Sequence, residues 1–181
     1  MSRRIARPYA AALFAVIGKR PVDALRAVEA QLDAVAEVFR REAKLLRAFE
    51  SPAAPPAKKR ELLDALGAAL GAGNETRRLL AALGQHYRLR FVGEVAAAFR
   101  QLVDRREGMV RGRVIAPAAL GEEQLAALAA ALQQAMGTRV ELESRVKPEL
   151  LAGFVVHLGS RVYDGSLRAQ VQRFAHAGVK R

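Results

Sequence analysis

The chain has 181 residues, of which 51% are hydrophobic, and it contains no cysteine and no tryptophan. This length suits one large domain or two small ones, and the hydrophobic content allows a packed core. The lack of cysteine excludes disulfides, thiolate metal sites and cysteine nucleophiles. No apolar run approaches the roughly 18–20 residues that a membrane-spanning helix needs, so we expect no direct membrane span.

The net charge is +12, from 30 basic and 18 acidic residues. A basic balance is typical of proteins that bind nucleic acid or another anionic surface. Here the surplus is spread over both halves of the chain, so it marks no single site. A basic nucleic-acid-binding module is therefore kept as the alternative function.

The N-terminal segment resembles a signal peptide, because three arginines precede an apolar run over residues 9–17. The run is followed by Gly18-Lys19-Arg20-Pro21, which lacks a small-residue cleavage site. We therefore interpret this segment as part of the mature protein and expect it on the cytoplasmic side.

The first predicted helix covers residues 4–18 and is apolar over an unusually wide arc. One stripe contains Ile5, Tyr9, Ala12, Leu13 and Val16, and a second group extends it around the cylinder: Ala10, Phe14 and Ile17. The arc spans about 200°, compared with roughly 100° for a helix that packs on one side. Either the helix is central to a bundle, or one side faces the core and the other faces a partner.

Five further helical patterns follow before residue 106. Apolar residues recur at three- and four-residue spacing, and Pro21, Ser51-Pro52 and Gly71 to Gly73 mark the breaks between helices. Six helices joined by short loops predict an all-α bundle over residues 1–105.

The periodicity changes near Gly108. Val110, Gly112 and Val114 alternate with arginines, which is typical of a strand, and a helix and a second alternating segment follow. A short hairpin then turns at Gly159-Ser160, and Asp164 is predicted to cap a last helix. The sequence therefore predicts an α+β fold, with a six-helix bundle followed by a small β-α-β-β-β-α domain over residues 109–181.

No arrangement of residues indicates catalysis or metal binding. The chain has no GxxxxGK phosphate loop, and its three histidines, His86, His157 and His176, fall on different elements. The adjacent acids Glu122 and Glu123 suit the first turn of a helix, where they complement its dipole. A two-domain chain with a broad apolar helix is best interpreted as an interaction protein, and an enzyme with an unrecognised site is the least favoured alternative.

Several motifs resemble the delta subunit of bacterial F-type ATP synthases, the family of the mitochondrial oligomycin sensitivity conferral protein. Residues 6–14 (ARPYAAALF) resemble the first helix of that family, and Ser51-Pro52 with Lys58-Lys59 resembles its helix-breaking loop and next helix. Residues 151–159 (LAGFVVHLG) and 163–167 (YDGSL) resemble its C-terminal signature, in which Ala152 stands where the family often has glycine. The motifs occur in the family's order along the whole chain.

The resemblance implies a non-catalytic stator subunit with no cofactor and no bound metal. It implies that residues 1–105 contact alpha subunits of the catalytic head, and that residues 109–181 contact the b subunits of the peripheral stalk. It also implies one copy per complex, peripheral to the cell membrane on the cytoplasmic side, and no nucleic-acid partner. The residues expected to contact an alpha N-terminal helix are Tyr9, Ala10, Phe14, Ile17, Arg77 and Ala81. The signature of the stalk-binding domain comprises Gly153, Phe154, Asp164, Ser166 and Leu167.

Overall fold

The helices and strands follow the predicted order. The structure is a computed structural model that describes residues 2–51, 55–150, 153–159 and 161–164. The helices are α1 Ser2–Ile17, α2 Val22–Arg41, α3 Ala43–Glu50, α4 Pro56–Ala69, α5 Asn74–Gln85, a 3₁₀ turn Leu89–Phe91, α6 Val92–Arg106 and α7 Glu122–Met136. The strands are β1 Met109–Ala116, β2 Arg139–Val146, β3 Val155–Leu158 and β4 Arg161–Asp164. The predicted α+β fold class is therefore confirmed, while the predicted last helix lies outside the described residues.

The chain divides into two units, Met1–Val103 and Asp104–Arg181. The division falls inside α6, whereas the sequence pattern places it after that helix. Asp104, in the last turn of α6, is buried and accepts a hydrogen bond from Arg111 Nε of β1 at 3.2 Å. This contact assigns the final turn of α6 to the second unit.

The first unit is a helical bundle with one apolar core. Its one-sided stripes of Leu, Val and Phe meet in the centre, as their helical spacing predicts. Phe99 of α6 and Leu32 of α2 are among its fully buried side chains, and Phe39 and Phe49 pack edge to face with their centroids 6.0 Å apart.

The second unit contains a four-stranded mixed sheet in the order β2-β1-β3-β4. Strands β1 and β2 are parallel, and the crossover that this requires is α7, whereas β1–β3 and β3–β4 pair antiparallel. Val114, Val140, Val156 and Leu158 form the core, with Leu125, Leu128 and Leu132 of α7 packed against it. A Cβ atom at Gly112 would overlap Leu158 and Leu142, so glycine permits these side chains to meet above β1.

Candidate docking surfaces

The apolar arc of α1 is divided between the core and the surface. The side chains of Ala6, Ala10, Leu13 and Ile17 are buried, at spacings that place them on one face of the helix. Val16 is 73% exposed, Ala12 is exposed, and Ile5 and Tyr9 are partly exposed. We call these last four residues the α1 outer stripe.

The structure places Ala10, Phe14 and Ile17 on the inner side of α1. Ala10 and Ile17 are fully buried, and the Phe14 ring packs edge to face on Phe99 at a centroid distance of 6.1 Å. The structure therefore gives these three residues core positions, and their expected contact with an alpha N-terminal helix stays a prediction. Of the α1 residues expected to meet a partner, Tyr9 alone belongs to the outer stripe.

The outer stripe lies beside α5. At one end, the Arg88 guanidinium donates a hydrogen bond to the Tyr9 hydroxyl at 3.1 Å. At the other end, Arg20 forms a salt bridge with Glu75 in the first turn of α5. Ala82 follows Glu75 by two helical turns and shares its edge of α5. The two helices therefore run antiparallel, with Ala12 on the outer stripe of α1 and Ala82 on the neighbouring edge of α5.

Arg77 and Ala81 lie on the opposite edge of α5, facing α4. Arg77 Nη1 lies 3.3 Å from Asp64 Oδ2 of α4, and its Cγ is the atom that a Cβ at Gly67 would approach most closely, at 2.9 Å. Ala81 lines the same α4/α5 surface. The expected contact of Arg77 and Ala81 with an alpha N-terminal helix stays a prediction.

The signature residues of the second unit lie around the β3–β4 hairpin. Gly153 has φ +84°, a left-handed conformation that favours glycine, and Phe154 is 38% exposed. Asp164 is the last residue of β4 and pairs with Val155 in the sheet. Ser166 and Leu167, together with the helix that Asp164 is predicted to cap, lie outside the described residues.

A partly buried charged network connects α2 and α6 in the first unit. Glu29 is 7% exposed and accepts hydrogen bonds from Arg26 and Arg100, and Arg100 also donates to Asp33. Burial by itself raises the pKa of Glu29, but the two arginines outweigh it and hold that pKa below its usual value. Burial lowers the pKa of Arg100, yet its hydrogen bond and attraction to the two carboxylates leave that pKa raised. Each partner therefore keeps the other ionised.

The residues that the structure describes form no group that could hold a metal ion. His86 and His157 are exposed on different units, and no three His, Asp or Glu side chains in the described ranges converge to hold a metal ion. None of the helices in this part of the chain is long and apolar enough to cross a membrane.

The chain is similar to ATP synthase delta subunits over nearly its whole length. The ATP synthase delta (OSCP) subunit family model matches residues 5–177. ATP synthase subunit delta of Myxococcus xanthus is 36% identical over 93% of this chain and 92% of its own length. ATP synthase subunit delta 2 of Syntrophotalea carbinolica is 33% identical over 96% of both chains. A chain in the cryo-EM structure of the Toxoplasma gondii mitochondrial ATP synthase hexamer superposes with a TM-score of 0.69 at 24% identity, covering 100% of this chain and 98% of that one.

The match over nearly the whole chain defines an ATP synthase subunit of two units, one helical and one α+β. The chain belongs to the ATP synthase delta (OSCP) subunit family. The predicted family is confirmed, and the predicted stator role in the ATP synthase fits it. The likeness to the Toxoplasma chain bears on the fold alone.

Proposed function

We propose that this chain is the non-catalytic stator subunit that joins the alpha subunits of a bacterial F-type catalytic head to the b subunits of its peripheral stalk. The observation that carries the proposal is the α1 outer stripe, whose apolar side chains are exposed on a helix that also contributes to the core. An unpartnered apolar helix face beside a second helix suits helix-in-groove docking. The partner for this face is an N-terminal helix of an alpha subunit.

The stripe and Ala82 specify how that helix docks. Alanines at both margins let an incoming backbone approach closely, and Val16 and Tyr9 offer larger surfaces for its apolar anchors. Ala10, Phe14 and Ile17 contribute indirectly, because they fix α1 in the core while its other side stays exposed.

The second unit carries the stalk contact, with Phe154 and the neighbouring hairpin as the exposed apolar surface. Phe154 is 38% exposed, and Val162 and Tyr163 on β4 are 56% and 41% exposed. Val162 and Tyr163 are adjacent on β4 and point to opposite faces of the sheet, so a b-subunit helix would cover Phe154 together with one of the two. On this proposal one copy of the chain acts per complex, at the cytoplasmic side of the membrane.

The proposal can be tested by restoring the coupling between ATP hydrolysis and proton pumping in membranes that lack this subunit. Membranes stripped of this subunit should hydrolyse ATP without pumping protons, and the purified full chain should restore proton pumping while showing no ATPase activity by itself. Restored pumping supports a stator, and full pumping in membranes that lack the chain would contradict it. Retention on heparin with no binding to the head would favour the nucleic-acid alternative.

A further inference from the structure

A small cavity lies between α4 and the end of α5 in the first unit. Its volume is about 90 Å³, and the polar side chains that line it are Lys59, Arg60, Gln85 and Tyr87. We call it the Lys59 cavity. A water molecule takes up about 30 Å³ in the liquid, so the cavity has room for roughly three waters or one small ion. A nucleotide, a peptide or a helix is too large for it.

Lys59 is a buried cation without a carboxylate partner. The residue is 9% exposed, and its ammonium donates a hydrogen bond to the Ser51 carbonyl and lies 5.1 Å from the centre of the Tyr87 ring. All 18 acidic residues of the chain fall within the described ranges, and none of them forms a salt bridge with Lys59 there. A carbonyl dipole and an aromatic face attract the ammonium but carry no net charge. Since buried charges in proteins are normally paired, Lys59 calls for a counter-ion.

Tyr87 borders the cavity in a backbone conformation that usually belongs to glycine. Its φ is +54°, directly after the C-cap residue of α5. The Tyr87 N–H donates to the Gly84 carbonyl at 3.1 Å. The Arg88 N–H donates to the Leu83 carbonyl at 2.8 Å, which completes the pair of bonds with which many helices end on glycine. A tyrosine is strained at such a position, and backbone strain of this kind is concentrated at ligand sites.

The side chains that line the cavity offer hydrogen-bond donors and positive charge. The Lys59 ammonium has three N–H groups, and Ser51 is the one acceptor that the described residues provide for them. Arg60 is exposed and forms no salt bridge within the described part of the chain. The acid Glu61 lines the wider groove outside and not this cavity. Water would satisfy these donors but leave the charge of Lys59 uncompensated, whereas an anion would do both.

We propose that the Lys59 cavity binds one small inorganic oxyanion of the phosphate and sulfate type. Such an ion accepts several charge-assisted hydrogen bonds, and its oxygens match the donors of an arginine as well as those of an ammonium. It would pair with Lys59 and Arg60 and accept from the Gln85 amide. This assigns a ligand to the second lysine of the Lys58-Lys59 motif.

Binding of the ion would connect three elements of the bundle. Lys59 belongs to α4, Gln85 ends α5, and Ser51 follows α3. Because the complete set of donors exists only in the folded chain, the ion stabilises the bundle by mass action. The site takes no part in the contact with an alpha subunit, so failure of this proposal would leave the stator function standing.

Calorimetric titration of the full chain with inorganic phosphate, and separately with sulfate, tests the proposal at an ionic strength held constant with NaCl. We expect saturable binding at one site per chain, and the ion that binds more tightly identifies the ligand. Lys59→Met keeps most of the side-chain stem but removes the charge, and it should weaken binding at least tenfold. Lys58→Met is the matched control, because the neighbouring Lys58 is exposed, and it should leave the affinity unchanged.

Tyr87→Gly is a second variant that keeps the test decisive if Lys59→Met does not fold, as judged by circular dichroism. Glycine suits the φ of +54°, so the end of α5 is retained while the cavity loses one wall, and the affinity should fall at least fivefold. The proposal is overturned if neither ion binds saturably at millimolar concentration, or if a folded Lys59→Met or Tyr87→Gly variant binds as the wild type does. An equal loss in Lys58→Met would also overturn it, because the effect would then be one of general surface charge.

Discussion

Replacement of Val16 by Asp should separate docking from folding. Val16 is 73% exposed, so the substitution changes little in the free chain, and we expect the free energy of unfolding to move by no more than about 0.5 kcal/mol. Burial of the exposed part of Val16 by the partner helix contributes about 1–2 kcal/mol to binding. An Asp at this position loses that contribution, and its carboxylate also loses its hydration when the partner binds. The affinity for an alpha N-terminal helix should therefore fall at least tenfold, which corresponds to about 1.4 kcal/mol.

The assay is calorimetric titration of the full chain with a synthetic peptide of the alpha N-terminus, alongside thermal denaturation. Ala11→Asp is the matched control, because Ala11 is exposed on α1 but lies about 140° around the helix from Val16. Unchanged affinity of Val16→Asp, or equal losses in both variants, would refute the assignment of the outer stripe as the docking face.

Other substitutions test the packing and the charges. Phe14→Asp should destabilise the bundle by several kcal/mol, since it places a charge against the buried Phe99, and a melting temperature equal to that of the wild type would contradict the inward position of Phe14. Phe99→Ala should cost about 3–5 kcal/mol in urea denaturation, and a cost under about 1 kcal/mol would mean that its site is not tightly packed. Because the pKa of Glu29 is lowered by folding, its contribution is complete above its ordinary value of 4.5 and is lost as the pH falls through the lower folded-state pKa. Stability of the wild type should therefore fall more steeply than that of Glu29→Gln between about pH 5 and pH 3, and parallel curves would contradict this.

The order and bounds of the helices could be predicted because their core faces are marked by large aliphatic residues. On α5, for example, Leu79, Leu80 and Leu83 are all buried, and they define one stripe. The same spacing rule predicted the alternating strand β1. These patterns reflect which face of each element is buried, and the spacing of apolar residues in the sequence shows that face directly.

The orientation of α1 could not be predicted in the same way. Two of its four buried positions, Ala6 and Ala10, have small side chains, whereas Val16 and Tyr9 on the outer stripe are larger. A stripe judged by side-chain size therefore points to the wrong side. Small residues are buried where neighbouring helices approach closely, and that approach depends on the tertiary arrangement.

The neighbour of each α5 edge was also not predictable from the sequence. Arg77 and Ala81 on one edge are as polar and as small as Arg78 and Ala82 beside them. The edge that carries Arg77 faces α4, where Arg77 contacts Asp64, 13 positions earlier in the chain. A long-range pairing of this kind leaves no periodic signal.

The ion pairs of Arg26, Glu29, Arg100 and Asp33 have a consequence for a part that carries mechanical load. Dispersion contacts between α2 and α6 lose a quarter to a half of their strength when a gap of about 0.5–1 Å opens. Attraction between opposite charges falls only with the inverse of their separation, so a similar displacement of about 1 Å from 3 Å removes about a quarter of it. Long arginine side chains can also follow a carboxylate as the helices slide. We therefore expect the ion pairs to keep most of their attraction through a small slide of α2 against α6, during which the packing contacts lose more of theirs.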